Sequence, residues 1–190
     1  MASRTQIVCL CEGKKGASID EVFINKLIKC LNPKWLRPQR GSNTTRLVPC
    51  GGRKALIEKT PAELQVSLTA GADTTLMVWS DCDDNCDNGE ALKAVFWKEA
   101  ERQGIPREQF ERIVFIFAKD RLENWIEFLL TGNTDESKEG PRIQHDREAA
   151  DAAKRLAEFC KGGKPNDGMP PSLQWSCKNW RALAERMKRS

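Results

Sequence analysis

The chain has 190 residues, a mass of 21.5 kDa and a formal net charge of +4, a size sufficient for one domain whose core needs neither disulfides nor a structural metal. No stretch reaches the roughly 18 apolar residues of a membrane span, and the N-terminus lacks the basic and long apolar segments of a secretion signal. We therefore expect a cytoplasmic protein that does not contact membranes, with its eight cysteines mostly reduced.

Strands and helices alternate along the first part of the chain. The apolar run "TQIVCLCEG" predicts a strand that ends at Glu12-Gly13, and "SIDEVFINKLIKCL" predicts a helix after it. "RLVPCGG" predicts a second strand. The helix at "TPAELQVSL" should follow it, with Thr60 as its cap and Pro61 at its first position.

The same alternation continues as far as residue 131. "TTLMVWSD" predicts a third strand, and "NGEALKAVFWKEAERQG" predicts a helix that Gly104 and Pro106 terminate. "RIVFIFA" is almost uniformly apolar, as is typical of a strand buried on both faces. Residues 1–131 should therefore form an α/β, Rossmann-like core with a mainly parallel four-stranded sheet and helices on both faces.

Residues 132–190 differ in character from this core. "TGNTDESKEGPRIQ" predicts a polar loop, and "DREAADAAKRLAEFC" predicts a helix. "SLQWSCKNWRALAERMKRS" has apolar residues at helical spacing, which indicates an amphipathic helix. We interpret this part as a helical C-terminal extension that packs on the core.

Acidic residues follow two of the predicted strands. Glu12 ends the first strand, and Asp81 and Asp83 end the third, so they should meet at the sheet edge where parallel α/β folds bind ligands. Clustered carboxylates repel one another unless a cation lies among them, and oxygen ligands favour Mg²⁺ or Mn²⁺. The sequence therefore predicts a metal site. Asp84 and Asp87 have a simpler explanation as acidic residues near a helix N-terminus.

Basic residues are concentrated in positions 29–59, which contain eight Lys or Arg and a single acidic residue. Such a segment is a candidate surface for nucleic-acid phosphates, although an ordinary solvated surface explains it equally well. The residues to which we assign nucleic-acid binding are Lys15, Arg37, Arg40, Arg46, Arg53 and Lys54.

These motifs together resemble the Toprim fold. "IVCLCEGKKGASIDEVFINKL" resembles its first motif, a strand that ends in Glu-Gly before a helix, and "WSDCDD" resembles its Asp-x-Asp motif. "LVPCGGRKALIEKTPAEL" is similar to the segment between them. Topoisomerases, bacterial primases, ribosomal-RNA maturases and the overcoming-lysogenization-defect nucleases share this fold. The resemblance covers most of the chain and is strongest over residues 6–125.

Two further segments resemble a narrower group of small stand-alone Toprim-like proteins, which are often encoded beside ATPases. "DRLENWIEFLL" resembles their Glu-x-Trp segment, and "PPSLQWSCKNWRAL" resembles their C-terminal helix. Two departures affect the expected catalysis. Lys14-Lys15 stand where many relatives have a small or acidic residue, and apolar residues near Leu129 replace an aspartate.

The resemblance implies a role for each matching acidic residue. Glu12 matches the invariant glutamate, which serves as a general base or acid and in some relatives as a metal ligand. Asp81 and Asp83 match the metal-binding aspartates, and Glu123 would serve a second metal. The cofactor expected from this match is Mg²⁺ or Mn²⁺.

The expected activity is Mg²⁺-dependent cleavage of phosphodiester bonds in DNA or RNA. Glu12 would position or deprotonate the attacking water, and Lys14, Lys15 or Lys119 would bind the scissile phosphate. A nearby-encoded ATPase is the expected protein partner, in defence against phage, and a homo-oligomer is compatible with the sequence. The alternative is a nucleic-acid-binding or regulatory subunit that keeps the fold without catalysis.

A Cys₄ zinc site is a weaker alternative. Cys9, Cys11, Cys82 and Cys86 would converge if both pairs ended neighbouring strands, but neither pair has the usual two-residue spacing. His145 is the only histidine of the chain, in a polar stretch before a helix, which gives little support to a Cys-His catalytic pair.

Overall fold

The structure is a computed structural model, and it describes residues 7–13, 19–31, 45–70, 74–82, 89–143, 145–162 and 168–188, with the backbone alone at 161–162 and 183–188.

A four-stranded sheet forms the centre of the molecule. Its strands are β1 (Ile7–Cys11), β2 (Thr45–Pro49), β3 (Thr75–Cys82) and β4 (Val114–Lys119). They lie in the order β2-β1-β3-β4, and every neighbouring pair is parallel. The predicted α/β class with a parallel, Rossmann-like sheet is therefore confirmed.

Seven helices surround this sheet in the described part of the chain. They are α1 (Ile19–Leu31), α2 (Arg53–Ala70), α3 (Glu90–Arg102), α4 (Arg107–Phe110), α5 (Leu122–Thr131), α6 (Asp146–Gly162) and α7 (Pro171–Lys188). Side chains of α1, α5 and α6 share one hydrophobic cluster with the side of β1 that carries Cys9 and Cys11. Those of α2, α3 and α4 share another with Val8 and Leu10 on the opposite side. Both faces of the sheet are thus covered, which explains why β1, β3 and β4 are almost entirely apolar.

The strand order reverses direction at the centre of the sheet. From β1 the chain crosses to β2 on one side, and it then returns to place β3 and β4 on the other side. In open parallel sheets such a reversal leaves a crevice at the carboxyl ends of the two central strands, because their connections run to opposite faces. Here the two central strands are β1 and β3.

Helix α2 begins earlier than its sequence predicts. It starts at Arg53, directly after two glycines with positive φ, so Thr60 and Pro61 lie inside the helix and the predicted cap at Thr60 is wrong. The Thr60 hydroxyl donates instead to the carbonyl oxygen of Leu56 at 2.7 Å. Burial of Leu56, Thr60, Pro61 and Leu64 on the sheet stabilises a helix that propensity alone would interrupt at the proline.

The last two helices pack on the core. α6 lies against α1 and α5, and it contributes buried alanines and Leu156 to their cluster. α7 lies along the edge strand β4, where the Ser176 hydroxyl accepts a hydrogen bond from the Phe117 N–H at 3.0 Å. The Asn179 amide donates to the carbonyl oxygen of Phe115 at 3.0 Å. Side chains of α7 therefore satisfy backbone groups that an edge strand would otherwise leave without partners.

Among the helices of the described ranges, none combines the length and the apolar character needed to cross a membrane.

Candidate functional site at the carboxyl edge of the sheet

The candidate site begins where β1 and β3 end side by side. Cys11 is paired with Trp79 in the sheet, so the next residues, Glu12 and Ser80, are neighbours. The Ser80 hydroxyl donates a hydrogen bond to Oε1 of Glu12. Asp81 follows at the end of β3, and all of these side chains line one cleft. The structure therefore brings together Glu12 and Asp81, as the sequence predicts.

Two helix N-termini supply further carboxylates. Asp20 lies in the first turn of α1 and lines the same cleft, and Glu123 lies in the first turn of α5. Both helices follow a strand of the parallel sheet directly, so their first turns lie at its carboxyl edge. A helix N-terminus carries partial positive charge, which favours acidic side chains there.

Two carboxyl groups of this cleft have raised pKa values. Burial raises the pKa of Asp81 to about 8, and the charges of Asp20, Glu12 and Glu123 act in the same direction. Burial, followed by the charges of Glu123, Glu12 and Glu21, raises the pKa of Asp20 to about 6. Desolvation and mutual repulsion both disfavour the ionised form. Four carboxyl groups therefore share one negative site, and Asp81 is uncharged over much of the neutral range.

Arg53 brings positive charge to these carboxylates. It is the first residue of α2, and its Nε donates to Oε1 of Glu12 at 3.2 Å. Its Nη2 donates to the backbone carbonyl oxygen of Asp81 at 2.8 Å, and its charge lowers the pKa of the Asp81 carboxyl against the larger effects that raise it. Arg53 thus bridges the ends of β1 and β3. The sequence assigns Arg53 to a phosphate-binding surface, and the structure places it beside the cleft, in contact with Glu12 and the backbone of Asp81.

The other predicted basic residues that are described lie apart from the cleft or at its border. Arg46 pairs with Glu63 at 2.7 Å on the exposed face of β2, and Lys54 faces Glu58 at 4.0 Å along α2. Lys119 ends β4 next to Cys82, and its charge lowers the pKa of the Glu136 carboxyl group against the larger effect of burial, which raises it.

Five predicted site residues lie outside the described residues: Lys14, Lys15, Arg37, Arg40 and Asp83. Their roles stay predictions.

The oxygen donors that the structure supplies decide which kind of metal ion this cleft could bind. The oxygen-only set of Glu12, Asp20, Asp81 and Glu123 has the chemistry that Mg²⁺ and Mn²⁺ prefer. Within the described ranges, no three Asp, Glu, His or Cys side chains come close enough together to hold a metal ion. Mg²⁺ commonly takes only one or two carboxylates, with waters and substrate phosphates as its remaining ligands. The residues fit a metal of that kind and do not form a closed protein cage.

The structure excludes the Cys₄ zinc site. Cys9 and Cys11 are buried on the side of the sheet covered by α1, whereas Cys82 is buried in the cluster on the other side. Three thiols divided between two faces of one sheet cannot ligate a single ion. Cys86 lies outside the described residues.

Two residues of the cleft, Asp20 and Ser80, are not singled out by the sequence argument. Asp20 has a sequence signal, because a helix that follows a parallel strand begins at the carboxyl end of that strand. An acidic residue in its first turn therefore lies at the same edge as the strand-end acids. Ser80 has no comparable signal, since its contact with Glu12 depends on the register between β1 and β3.

Asp120 is a further acidic residue at this edge. It follows β4 with a φ of 59°, and its N–H donates to the carbonyl oxygen of Cys82 at 2.8 Å. One of its carboxylate oxygens is buried without a hydrogen-bond partner. A left-handed conformation at a non-glycine residue is uncommon, and such residues concentrate at functional sites.

Comparison of the chain with protein-family models, curated proteins and solved structures finds no match. The Toprim resemblance therefore depends on the motifs quoted above.

Proposed function

We propose that this protein is a Toprim-type, Mg²⁺-dependent nuclease that hydrolyses phosphodiester bonds in DNA or RNA. The observation that carries this proposal is the convergence of four carboxyl groups and one guanidinium at the reversal point of a parallel sheet. Burial and mutual repulsion both disfavour such a cluster of charges, and this cost supports a bound cation or a reacting group at this edge.

The residues that would hold the ion are Asp81 and, from outside the described residues, Asp83, with waters and substrate phosphate oxygens as the remaining ligands. Asp20 and Glu123 would add negative charge nearby. When bound, a divalent cation supplies neutralisation of the charge that develops on the transferring phosphate. Asp81 must lose its proton to serve as a ligand, and its raised pKa makes metal binding compete with protonation.

Glu12 is the residue that we assign to the attacking water. Its carboxylate accepts hydrogen bonds from Ser80 and Arg53, which fix its orientation at the end of β1. An oriented carboxylate can accept a proton from a water held within hydrogen-bond reach.

Arg53 would bind the substrate phosphate. Its guanidinium presents several donors in a fixed plane, a geometry that matches phosphate oxygens, and it is partly exposed beside Glu12. In the absence of substrate, it partly neutralises the carboxylates.

The experiment that tests the proposal compares cleavage and binding of single-stranded and duplex DNA and RNA by the parent chain and Glu12→Gln. With Mg²⁺ or Mn²⁺, the parent should cleave at least one substrate and EDTA should stop it. Glu12→Gln should keep nucleic-acid binding while turnover falls by about a hundredfold or more. Glu108→Gln, on the exposed surface of α4, is the matched control and should cleave like the parent.

Two other results would reject the nuclease. Binding without cleavage by the parent under all metal conditions would support the non-catalytic subunit instead. An absence of both binding and cleavage would reject the nuclease and the non-catalytic subunit alike. The ATPase partner in phage defence remains a prediction, for which co-purification with the products of neighbouring genes is the direct test.

A further inference from the structure

Two thiols of the helical extension lie in contact away from the carboxylate cleft. Sγ of Cys160, near the end of α6, is 2.9 Å from Sγ of Cys177 in α7. Seventeen positions separate the two residues in sequence, and they lie on different helices. Cys160 is partly exposed and Cys177 is buried.

We propose that Cys160 and Cys177 form a redox-active dithiol that a hydroperoxide oxidises to a reversible disulfide linking α6 to α7. Both free sulfurs line one small apolar cavity with Leu156, Leu173 and Trp180. The two side chains therefore face the same space, and the bond requires only a small approach of the sulfurs.

The two cysteines differ in thiol pKa and in exposure, as an attacking and a resolving thiol should. The hydrogen bond shared with Cys177 lowers the pKa of the Cys160 thiol, and the charge of Arg181 acts in the same direction, against the effect of burial. The pKa of Cys177 is raised by the same hydrogen bond and by burial. Cys160, with the larger thiolate fraction and the greater exposure, is the attacking thiol, and Cys177 is the resolving thiol.

Each step balances in atoms and electrons. The Cys160 thiolate attacks one oxygen of hydrogen peroxide, the O–O bond breaks, and hydroxide leaves to give a sulfenic acid. The sulfur of Cys177 then attacks the sulfur of Cys160, its proton leaves with the hydroxyl group as water, and the S–S bond forms. Two thiols lose two electrons in total, and one peroxide is reduced to two waters.

Buried cysteines of the sheet are poor competitors for the oxidant. Burial raises the pKa of Cys9 well above its usual value and that of Cys11 to about 12. It also raises the pKa of Cys50. Thiols of this kind stay protonated and react slowly.

The test uses the full chain treated with hydrogen peroxide and then mapped without reduction. The digest should contain one peptide pair that joins Cys160 to Cys177, and the denatured protein should have lost two free thiols. Because the bond closes a loop of about 17 residues, the melting temperature should rise by roughly 6–12 °C, and dithiothreitol should reverse the rise.

Variants separate this pair from general oxidation. Cys160→Ser should show neither the linked peptide nor the rise in melting temperature. Cys30→Ser, a partly buried thiol on α1, is the matched control and should behave like the parent. Cys177→Ser should leave a Cys160 sulfenic acid that dimedone traps, provided that circular dichroism shows a folded chain. The Cys160→Ser result stands without it.

Three results would overturn the proposal: a link between other cysteines, a Cys160 that goes directly to sulfinic acid in the parent, or both thiols remaining free while peroxide oxidises dithiothreitol in the same buffer.

Discussion

Asp81 illustrates how one residue's surroundings alter its chemistry. In sequence it is one of several aspartates near the end of a strand. In the structure it is half-buried near Asp20, Glu12 and Glu123, and its pKa rises to about 8. The folded state therefore holds a proton on this carboxyl group that the unfolded chain releases at about pH 4.

We expect Asp81→Asn to stabilise the metal-free protein above neutral pH. The folded state binds more protons than the unfolded state between about pH 4 and pH 8, so stability should fall across that window as pH rises. Asparagine mimics the protonated carboxyl group and should flatten this fall, a gain of roughly 1–3 kcal/mol near pH 8 after allowance for partial exposure. Urea unfolding in EDTA at several pH values measures it.

The control for this measurement is Asp151→Asn. Lys154 lowers the pKa of the Asp151 carboxyl through a hydrogen bond, so ionised Asp151 favours folding, and its loss should slightly reduce stability. A steeper pH dependence for Asp81→Asn than for the parent would contradict the account of the cleft.

Arg53 and Lys54 are adjacent in sequence but differ in their contacts. Arg53 bridges Glu12 and the backbone of Asp81, whereas the Lys54 side chain is 90% exposed. Arg53→Gln should lower nucleic-acid affinity by about tenfold, because a bidentate phosphate contact is lost, and Lys54→Gln by clearly less. Titrations over a salt series measure both, and each lost phosphate contact should make the slope shallower by about one unit. Equal losses for the two variants would place the phosphate elsewhere.

Among the elements, α2 shows how tertiary packing overrides local preference. Pro61 has no N–H to donate to the carbonyl group one turn earlier, yet the helix continues through it. We expect Pro61→Ala to stabilise the protein by roughly 1 kcal/mol, since the regained hydrogen bond outweighs the lost contact area of the ring. Thermal and urea unfolding measure the change.

Pro171 is the matched control for Pro61. It is exposed and is the first residue of α7, a position where proline has no hydrogen bond to lose. Pro171→Ala should therefore give no gain. A destabilised Pro61→Ala would mean that ring packing dominates in α2.

The contribution of the contact between α7 and β4 to stability can also be tested. Ser176→Ala removes the acceptor of the buried Phe117 N–H and should cost about 1–3 kcal/mol. Ser137→Ala changes the same residue type in an exposed loop and should cost less than about 0.5 kcal/mol. Urea unfolding compares them, and equal costs would show that the edge contact contributes little.

For the whole molecule, the sequence predicts the architecture better than it predicts the site. Alternating apolar runs and helical patterns specify the four strands and the main helices, because burial on a sheet imposes those periods. The start of α2 could not be predicted, since Thr60 and Pro61 form a strong local signal for a helix start that only packing in the completed core overrides. Within the cleft, the positions of Glu12 and Asp81 could be predicted, because both residues lie at strand ends. The contact of Ser80 depends on the register between the strands, and the contacts of Arg53 depend on how the neighbouring helix is placed, so neither could be predicted.

Metal uptake should be coupled to the charge of the whole cleft. Mg²⁺ or Mn²⁺ at millimolar concentration should raise the melting temperature more at about pH 8 than at about pH 5, because protons on Asp81 and Asp20 compete with the ion. Scanning calorimetry in both buffers measures the shift, with Asp81→Asn as the variant that should lose most of it. A shift that is the same at both pH values would contradict binding at these carboxylates.

The arrangement of α7 on β4 also bears on synthesis of the chain at the ribosome. About 50 residues separate the end of β4 from the start of α7, so the four strands emerge before the helix that covers their last edge. At about 5–20 residues per second, the backbone of Phe115 and Phe117 waits on the order of 3–10 s for Ser176 and Asn179. During that interval, neighbouring nascent chains on one messenger could pair at this strand. Slow translation of the intervening segment would lengthen the exposure, and a chaperone that shields β4 would shorten it.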